Sequence, residues 1–445
     1  MNKKSKDLSR RRFIGDAAAI GALGALGVGA LVTSCHSKPK YTAPVFPDQA
    51  PDGPRLKAGL VGCGDRGTGA AFDFLSAGPN LEIVAMGDVL QDRLDRCRNA
   101  LREHRGVEIP DDRCFLGFDS YRKVIDSDID VVLLCQPTHF RPESLLYAVQ
   151  ARKHVFAEKC VGVDPVGVRS VMASGRMAEA AGLNVVVGTQ RRHQKDYVKT
   201  FEMVKNGAIG DLISANCYWN QGSFRHVYPR EGWSDMEAMI RDFFNWCWLS
   251  GDHILDQNIH NIDIIVWFFE KYPVSAVGFG GRHRRPLGDQ YDFFSVDFAF
   301  DDGRHFHAMS RQIDGCANNV SEMIYGTKGY TNCRNMIWDY DDNLIWEYEY
   351  PMGDDGTRRT SVVISPYVQE HINLVTAIRT GNYINEVQNV CESNMAAIMG
   401  RESAYTGRQM TWDDMMNSNL RLGPTEYSMG PVDIPPVPPV PGTSS

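Results

Sequence analysis

The chain has 445 residues, 43% hydrophobic and 23% charged, enough apolar material for a sizeable core and enough length for more than one domain. Its formal net charge of -8 provides no long-range attraction for phosphate backbones or anionic lipid, which argues against nucleic acid and peripheral membrane binding. A small neutral or polar ligand fits better.

The N-terminus reads as an export signal. Ser9-Arg10-Arg11-Arg12-Phe13-Ile14 has the twin-arginine pattern, and the apolar run over 17–32 is too short and Gly-rich for a comfortable membrane span. The run ends in Val32-Thr33-Ser34-Cys35, which resembles a bacterial lipobox. Residues 1–35 are therefore expected to be a signal, with Cys35 lipidated and the protein anchored on the periplasmic side. A chance cysteine after an ordinary signal is the plainer alternative. Residues 36–54, rich in Pro, Ser and Lys, are expected to be a tether. The other ten of the 11 cysteines form no CxxC pair and lie mostly in apolar runs, so they read as buried free thiols.

From 55 to 188 short apolar runs alternate with helix-period stretches, as in βαβ units with a doubly wound parallel sheet. Strands are expected at 56–61, 81–86, 131–134, 154–157 and 184–187, and helices at 68–76, 91–103, 143–151 and 165–181. Over 189–366 the texture becomes α+β. A helix is expected at 197–206, a strand at 212–219, an irregular aromatic segment to 250 and a helix at 255–269. A mainly antiparallel sheet is expected from runs at 274–278, 293–300, 305–310 and 321–325. Helices at 368–380 and 390–405, within a segment 367–415, should pack back on the first domain. The Pro-rich tail, 416–445, should be extended and outside the core.

Gly62-Cys63-Gly64-Asp65-Arg66-Gly67 fits GxGxxG between a strand and a helix. Glycines allow a tight turn and close approach of a pyrophosphate, and the helix N-terminus adds amide donors. Asp88 follows 21 residues after Gly67, at the end of the second strand. A carboxylate there accepts from ribose hydroxyls and repels a 2′-phosphate, so the expected cofactor is NAD. Ligands of such sheets bind at carboxyl ends of strands, which adds Pro137, His139, Glu158 and Lys159 to the expected cofactor site. A lysine there can lower the pKa of a substrate hydroxyl. Asp256, His260 and Asp263 are spaced i, i+4 and i+7, one face of a continuous helix, and a His flanked by carboxylates suits proton transfer. A satisfied core histidine is an equal reading of that spacing alone. The oxygen-rich set is thin for a metal site, and no metal is expected.

These residues resemble the glucose-fructose oxidoreductase, inositol dehydrogenase and MocA family (Gfo/Idh/MocA) over nearly all of 56–412. The fingerprint matches Gly62, Gly64 and Gly67. The Glu-Lys-Pro motif matches Glu158 and Lys159 but departs at Cys160, which removes a fixed φ after the lysine. The Asp-xxx-His helix matches Asp256 and His260, and Ile398 to Gly407 is similar to exported bacterial members. The resemblance implies Lys159 and His260 as acid/base groups, Asp256 beside them, and homo-oligomer contacts through the second-domain sheet.

Gln190, Arg191, Arg192 and Trp219, with Asp256 and His260, are the substrate-side candidates, since aromatics and planar polar groups suit sugar faces and hydroxyls; His193 and Tyr218 are reserve bases. Export removes the enzyme from any obvious pool of free NAD, so one tightly held, recycled cofactor is expected. The preferred reading is an NAD-dependent oxidoreductase acting on a sugar or polyol ring. The first alternative is a redox-neutral NAD-dependent glycoside hydrolase, similar to glycoside hydrolase family 109. The second is a non-catalytic sugar-binding lipoprotein.

Overall fold

Residues 40–443 are described in the computed structural model; the twin-arginine pattern, the lipobox and Cys35 lie outside them. The first domain runs β1 (Leu56–Val61), α1 (Asp65–Ser76), β2 (Leu81–Asp88), α2 (Gln91–Arg105), β3 (Cys114–Leu116), α3 (Ser120–Ile125), β4 (Val131–Leu134), α4 (Arg141–Gln150), β5 (His154–Ala157), α5 (Pro165–Ala180) and β6 (Val185–Val187). The six strands form a parallel sheet in the order β3-β2-β1-β4-β5-β6. Helices cover both faces, which is why β4 is buried at every residue and reads as an unbroken apolar run. The strand order reverses between β1 and β4, so the carboxyl ends of these two strands open a crevice.

The second domain adds α6 (Lys195–Lys205), β7 (Leu212–Gln221), α7 (Asp235–Arg241), α8 (Cys247–Ser250), α9 (His253–Asp256), α10 (Ile259–Phe269), β8 (Ser275–Gly281), β9 (Phe293–Ala299), β10 (His305–Gln312), β11 (Asn319–Gly326), β12 (Gly329–Thr331), β13 (Met336–Asp339) and β14 (Leu344–Glu347). Then come α11 (Pro366–Thr380), α12 (Val387–Thr406), β15 (Met410–Thr411) and α13 (Trp412–Asn417). Its nine-stranded sheet is antiparallel except where β10 pairs in parallel with β7. Alternation sorts its two faces: Phe294, Val296, Phe298, Phe306 and Ala308 are buried, whereas Phe279, Phe293 and Met309 are exposed. That exposed face, where contacts between copies were expected, is uncovered in the single chain. On the inner face α12 lies so near β9 that a Cβ at Gly400 would stand 2.7 Å from the Phe298 ring. Helix α11 instead covers the first sheet, with His371 against Phe74 and Phe156.

Four expectations change. The helix read as 255–269 is broken: Asp256 closes α9, and α10 starts at Ile259 behind Asn258. Strands β3 and β12 to β14 went unread because they are short and, unlike the equally short β4, β5 and β6, are not near-continuous buried apolar runs. From Tyr41 the expected tether is docked. Tyr41 exchanges backbone hydrogen bonds with the Asn206 side chain, both at 2.9 Å, and buried Ala50 donates to the Ala77 carbonyl. The tail is not outside the fold either: Leu422, Tyr427, Val432 and Ile434 pack on a core cluster that includes Leu90, Met236 and Trp248. Of the ten described cysteines, seven are buried, Cys114 and Cys135 half-buried, and Cys316 exposed; all are free.

Candidate functional site

The crevice is floored by the turn between β1 and α1. Gly62 has φ +91°, and a Cβ there would meet the Gln136 backbone nitrogen at 2.5 Å. A Cβ at Gly67 would lie 1.8 Å from the Gly62 carbonyl oxygen. At Gly64 a Cβ would meet nothing within 4 Å. Its surface is open toward the cleft, at the N-terminus of α1, and this is the room a pyrophosphate needs. The cleft measures about 470 Å³ and its wall includes Gly62, Gly64, Asp65, Arg66, Gly67, Asp88, Pro137, Glu158, Lys159 and Asp256. The residues present therefore fit a dinucleotide.

Asp88 is buried at the end of β2, where its carboxylate accepts from Cys63 N at 2.6 Å and Leu90 N at 2.9 Å. Burial pushes its pKa up, and these backbone donors work against the shift. The side chain thus holds the glycine turn to β2 and presents its charge to the cleft. Asp88→Ala is expected to weaken NAD about 10- to 100-fold, the worth of a charged hydrogen bond, and NADP by less. Titrating both dinucleotides checks this, and an unchanged preference means that another residue reads the ribose.

Asp65 and Arg66 border the cleft already paired. Asp65 faces Arg96 at 3.4 Å and Arg225 at 3.9 Å. Arg66 bonds Glu158 and, at 3.0 Å, Asp73, and lies 4.8 Å over the Tyr367 ring. Glu158 accordingly lines the cleft as the partner of Arg66. His139 is a correction: Thr138 and Phe140 line the cleft, while His139 bonds the Tyr427 hydroxyl at 2.7 Å and packs on Trp248. Burial pushes its imidazole down to about 4, so it is neutral. The sequence reading also missed Arg93, Phe118, Phe224, Phe243 and Tyr427, all on the cleft wall. The density of aromatic residues over 218–248 was the available signal for two of them.

At the carboxyl end of β5 the Lys159 ammonium donates to the Asp256 backbone carbonyl and stands 3.4 Å from Asp256 Oδ1. Burial acts to lower its pKa, but Asp256, followed by Cys160 and Glu158, outweighs burial and holds it above the ordinary lysine value. The Lys159–Cys160 peptide is cis. Buried Arg141 donates to both Thr138 Oγ1, at 2.8 Å, and the Cys160 carbonyl, which ties the loops after β4 and β5 together. Asp256 Oδ2 accepts from Gln257 at 2.5 Å.

His260 opens α10 stacked on Trp219, ring centroids 5.5 Å apart and planes 29° apart. Burial, then the positive charges of Lys159 and Arg191, drive its pKa well below the usual histidine value. It is thereby held as the neutral imidazole. Asp263 does not join this group, because it takes a bidentate bond from Arg192 (2.8 and 2.9 Å) and another from Ser393 (2.7 Å). Arg192, half-buried, is thereby occupied as the partner of Asp263 rather than free for a substrate. Arg191 pairs with Glu322, donates to Asn261 at 3.2 Å and reaches the His260 carbonyl at 3.4 Å, so it supports the histidine from behind. Gln190 is buried and bonds Tyr367 at 3.3 Å. His193, held between Glu386 and Asn373, is a core residue. A Ser310–His253–Asp252 hydrogen-bond chain has the order of a nucleophilic triad, but each member is at most 2% exposed and no substrate reaches it.

A doubly wound sheet, an open glycine cradle and a lysine–carboxylate pair on the same cleft define a dinucleotide-binding protein with a proton-transfer pair at its site. Residues 56–189 match the family described as an oxidoreductase family with an NAD-binding Rossmann fold, and 197–331 match the GFO/IDH/MocA C-terminal domain. The chain belongs to the GFO/IDH/MocA family, and its first domain binds NAD. It is 28% identical over 155 residues to myo-inositol 2-dehydrogenase of Thermotoga maritima, across 35% of this chain and 42% of that one. It is 22% identical over 280 residues to scyllo-inositol 2-dehydrogenase (NAD(+)) of Bacillus subtilis, across 62% and 72%. A solved structure of scyllo-inositol dehydrogenase from Lactobacillus casei with bound NAD(H) and scyllo-inositol superposes with a TM-score of 0.59 at 21% identity, over 80% of this chain and 99% of that one, which is a likeness of fold.

Proposed function

We propose that this protein is an exported oxidoreductase that acts on a ring carbinol of a sugar or polyol and keeps one NAD tightly bound through successive turnovers. The observation that carries the reading is a single cleft that holds both the glycine cradle and the Lys159–Asp256 pair. When bound, NAD supplies a hydride acceptor. Gly62, Gly64 and Gly67 leave room for its pyrophosphate, and Asp88 would accept from its ribose. The Lys159 ammonium donates to the substrate hydroxyl and stabilises the charge that develops on that oxygen, while Asp256 holds the ammonium in place. Neutral His260 takes the hydroxyl proton, and Trp219 fixes its ring plane. The inositol dehydrogenases among the relatives favour a cyclic polyol or pyranose as the substrate class.

The test is incubation of the NAD-loaded protein with inositols, hexoses and aryl glycosides, following bound-cofactor absorbance and released monosaccharide together. Reduction by one polyol and reoxidation by a second compound supports the reading. Monosaccharide release with no net absorbance change assigns the redox-neutral glycosidase instead, and binding with neither signal leaves a sugar-binding protein. For the anchor, Cys35→Ala is expected to move the protein from the membrane to the soluble periplasmic fraction, since a lipid chain is the attachment proposed. Retention of that variant in membranes sinks the lipobox reading.

A further inference from the structure

Beyond α13 the chain crosses the carboxyl ends of β4 and β5 as an extended strap, residues 418–434. Leu422 N donates to Asp164 Oδ2 at 2.8 Å, and the other oxygen of that carboxylate caps α5 through Gly167 N at 2.7 Å. Gly423, at φ +91°, is wedged between two rings: a Cβ there would lie 2.8 Å from both His139 and Trp248. Tyr427 then reaches the cleft. Its hydroxyl bonds His139 Nε2 at 2.7 Å, its ring stacks on Phe118 at 5.9 Å and meets Phe140 edge-on at 5.3 Å. Farther on, the Gly430 carbonyl accepts from Met236 N at 3.1 Å and Val432 N donates to Asp235 at 3.2 Å. Phe118, His139 and Phe140 belong to the dinucleotide-binding domain, whereas Asp235, Met236 and Trp248 belong to the second domain. The strap is therefore bonded to both sides of the crevice, and Tyr427 borders the same cleft as Gly64 and Asp88.

We infer that this C-terminal strap is one wall of the NAD site, with Tyr427 as a cofactor-contacting residue, and that undocking of the strap governs how fast NAD leaves. A bound dinucleotide in a cleft closed on this side escapes only after the Tyr427 ring withdraws from Phe118 and Phe140. The geometry of Gly423 makes the seat specific, because any larger side chain would push the strap off His139 and Trp248. The inference deepens the retention proposed above. Its assay contains no sugar, so the substrate reading and the strap fail separately.

The experiment loads full-length protein with radiolabelled NAD and chases with excess unlabelled NAD. Tyr427→Ala is expected to speed release about tenfold, the worth of an aromatic contact. Tyr427→Phe, which keeps the stack and loses only the bond to His139, should give a smaller increase, and a chain ended at Asn417 a larger one. Circular dichroism and melting of each variant confirm that the two domains remain folded. In the unmutated protein, limited proteolysis within 418–434 should slow when NAD is added. Release from Tyr427→Ala at the wild-type rate, or strap cleavage that NAD does not slow, overturns the inference.

Discussion

Replacing Lys159 by methionine is expected to slow single-turnover reduction of bound NAD by about 10²- to 10⁴-fold, the range for a lost acid/base group, with the cofactor still bound. Methionine keeps the length and apolar stem but has no ammonium to meet a hydroxyl. His260→Ala should cost the same order, because it removes the group proposed to take the proton. On the proposed mechanism the two act on one carbinol, so the double variant should be little worse than the poorer single one. The pH dependence follows from the same environment. His260 is held well below the usual histidine value by burial and by the charges of Lys159 and Arg191, so its base form persists as pH falls through about 6.5. Despite burial, Lys159 is held above the ordinary lysine value by Asp256, so its ammonium form persists as pH rises toward about 10. The rate of the chemical step should therefore be flat between these limits, measured on bound NAD with one active polyol. A wild-type rate for His260→Ala would make it a histidine that merely packs on Trp219. The base would then be a bound water or a group on the cleft wall.

Gly62→Ala and Gly64→Ala should both abolish NAD binding, by at least about 100-fold, yet differ in stability. At Gly62 the φ of +91° is strained for an L side chain, costing about 1–3 kcal/mol. The added methyl would also stand 2.5 Å from the Gln136 backbone nitrogen. That backbone cannot easily retreat, since Cys135 N is bonded to the Val61 carbonyl at 2.7 Å and ties β4 to β1. The turn must open, and both melting temperature and NAD affinity should fall. Gly64 has ordinary dihedrals (φ −71°, ψ −173°) and free space where a Cβ would go. Its alanine variant should melt like the parent and lose NAD because the methyl occupies the room left for the pyrophosphate. Calorimetric titration with paired thermal melts checks both. Unimpaired binding by Gly64→Ala would mean that the pyrophosphate does not pass over this turn.

Much of the first domain was legible because its signals are local. The bounds of β1, β4 and β5 follow from apolar runs ended by Gly62, Cys135 and Glu158, and GxGxxG with Asp88 needs only spacing and the known direction of a parallel sheet. The carboxyl ends of those strands placed Lys159 at the crevice without any knowledge of the second domain.

What the sequence could not decide was the partner of each charged or titratable side chain. Asp256, His260 and Asp263 share a face only if the helix is continuous, and the break at Asn258 sends Asp256 to Lys159 while Asp263 pairs with Arg192 and Ser393. His139, placed correctly at a strand end, was given to the cofactor, yet its partner is Tyr427, 288 positions away. The tail was read as extended and free because its prolines forbid regular structure, and prolines say nothing about docking. By itself the sequence determined where backbone is tight, where strands end and which cofactor chemistry those ends admit, since these depend on neighbours a few residues away. Only the tertiary structure decided which charges neutralise one another and what closes the cleft, since those pairings depend on which distant segments compete for the same buried space.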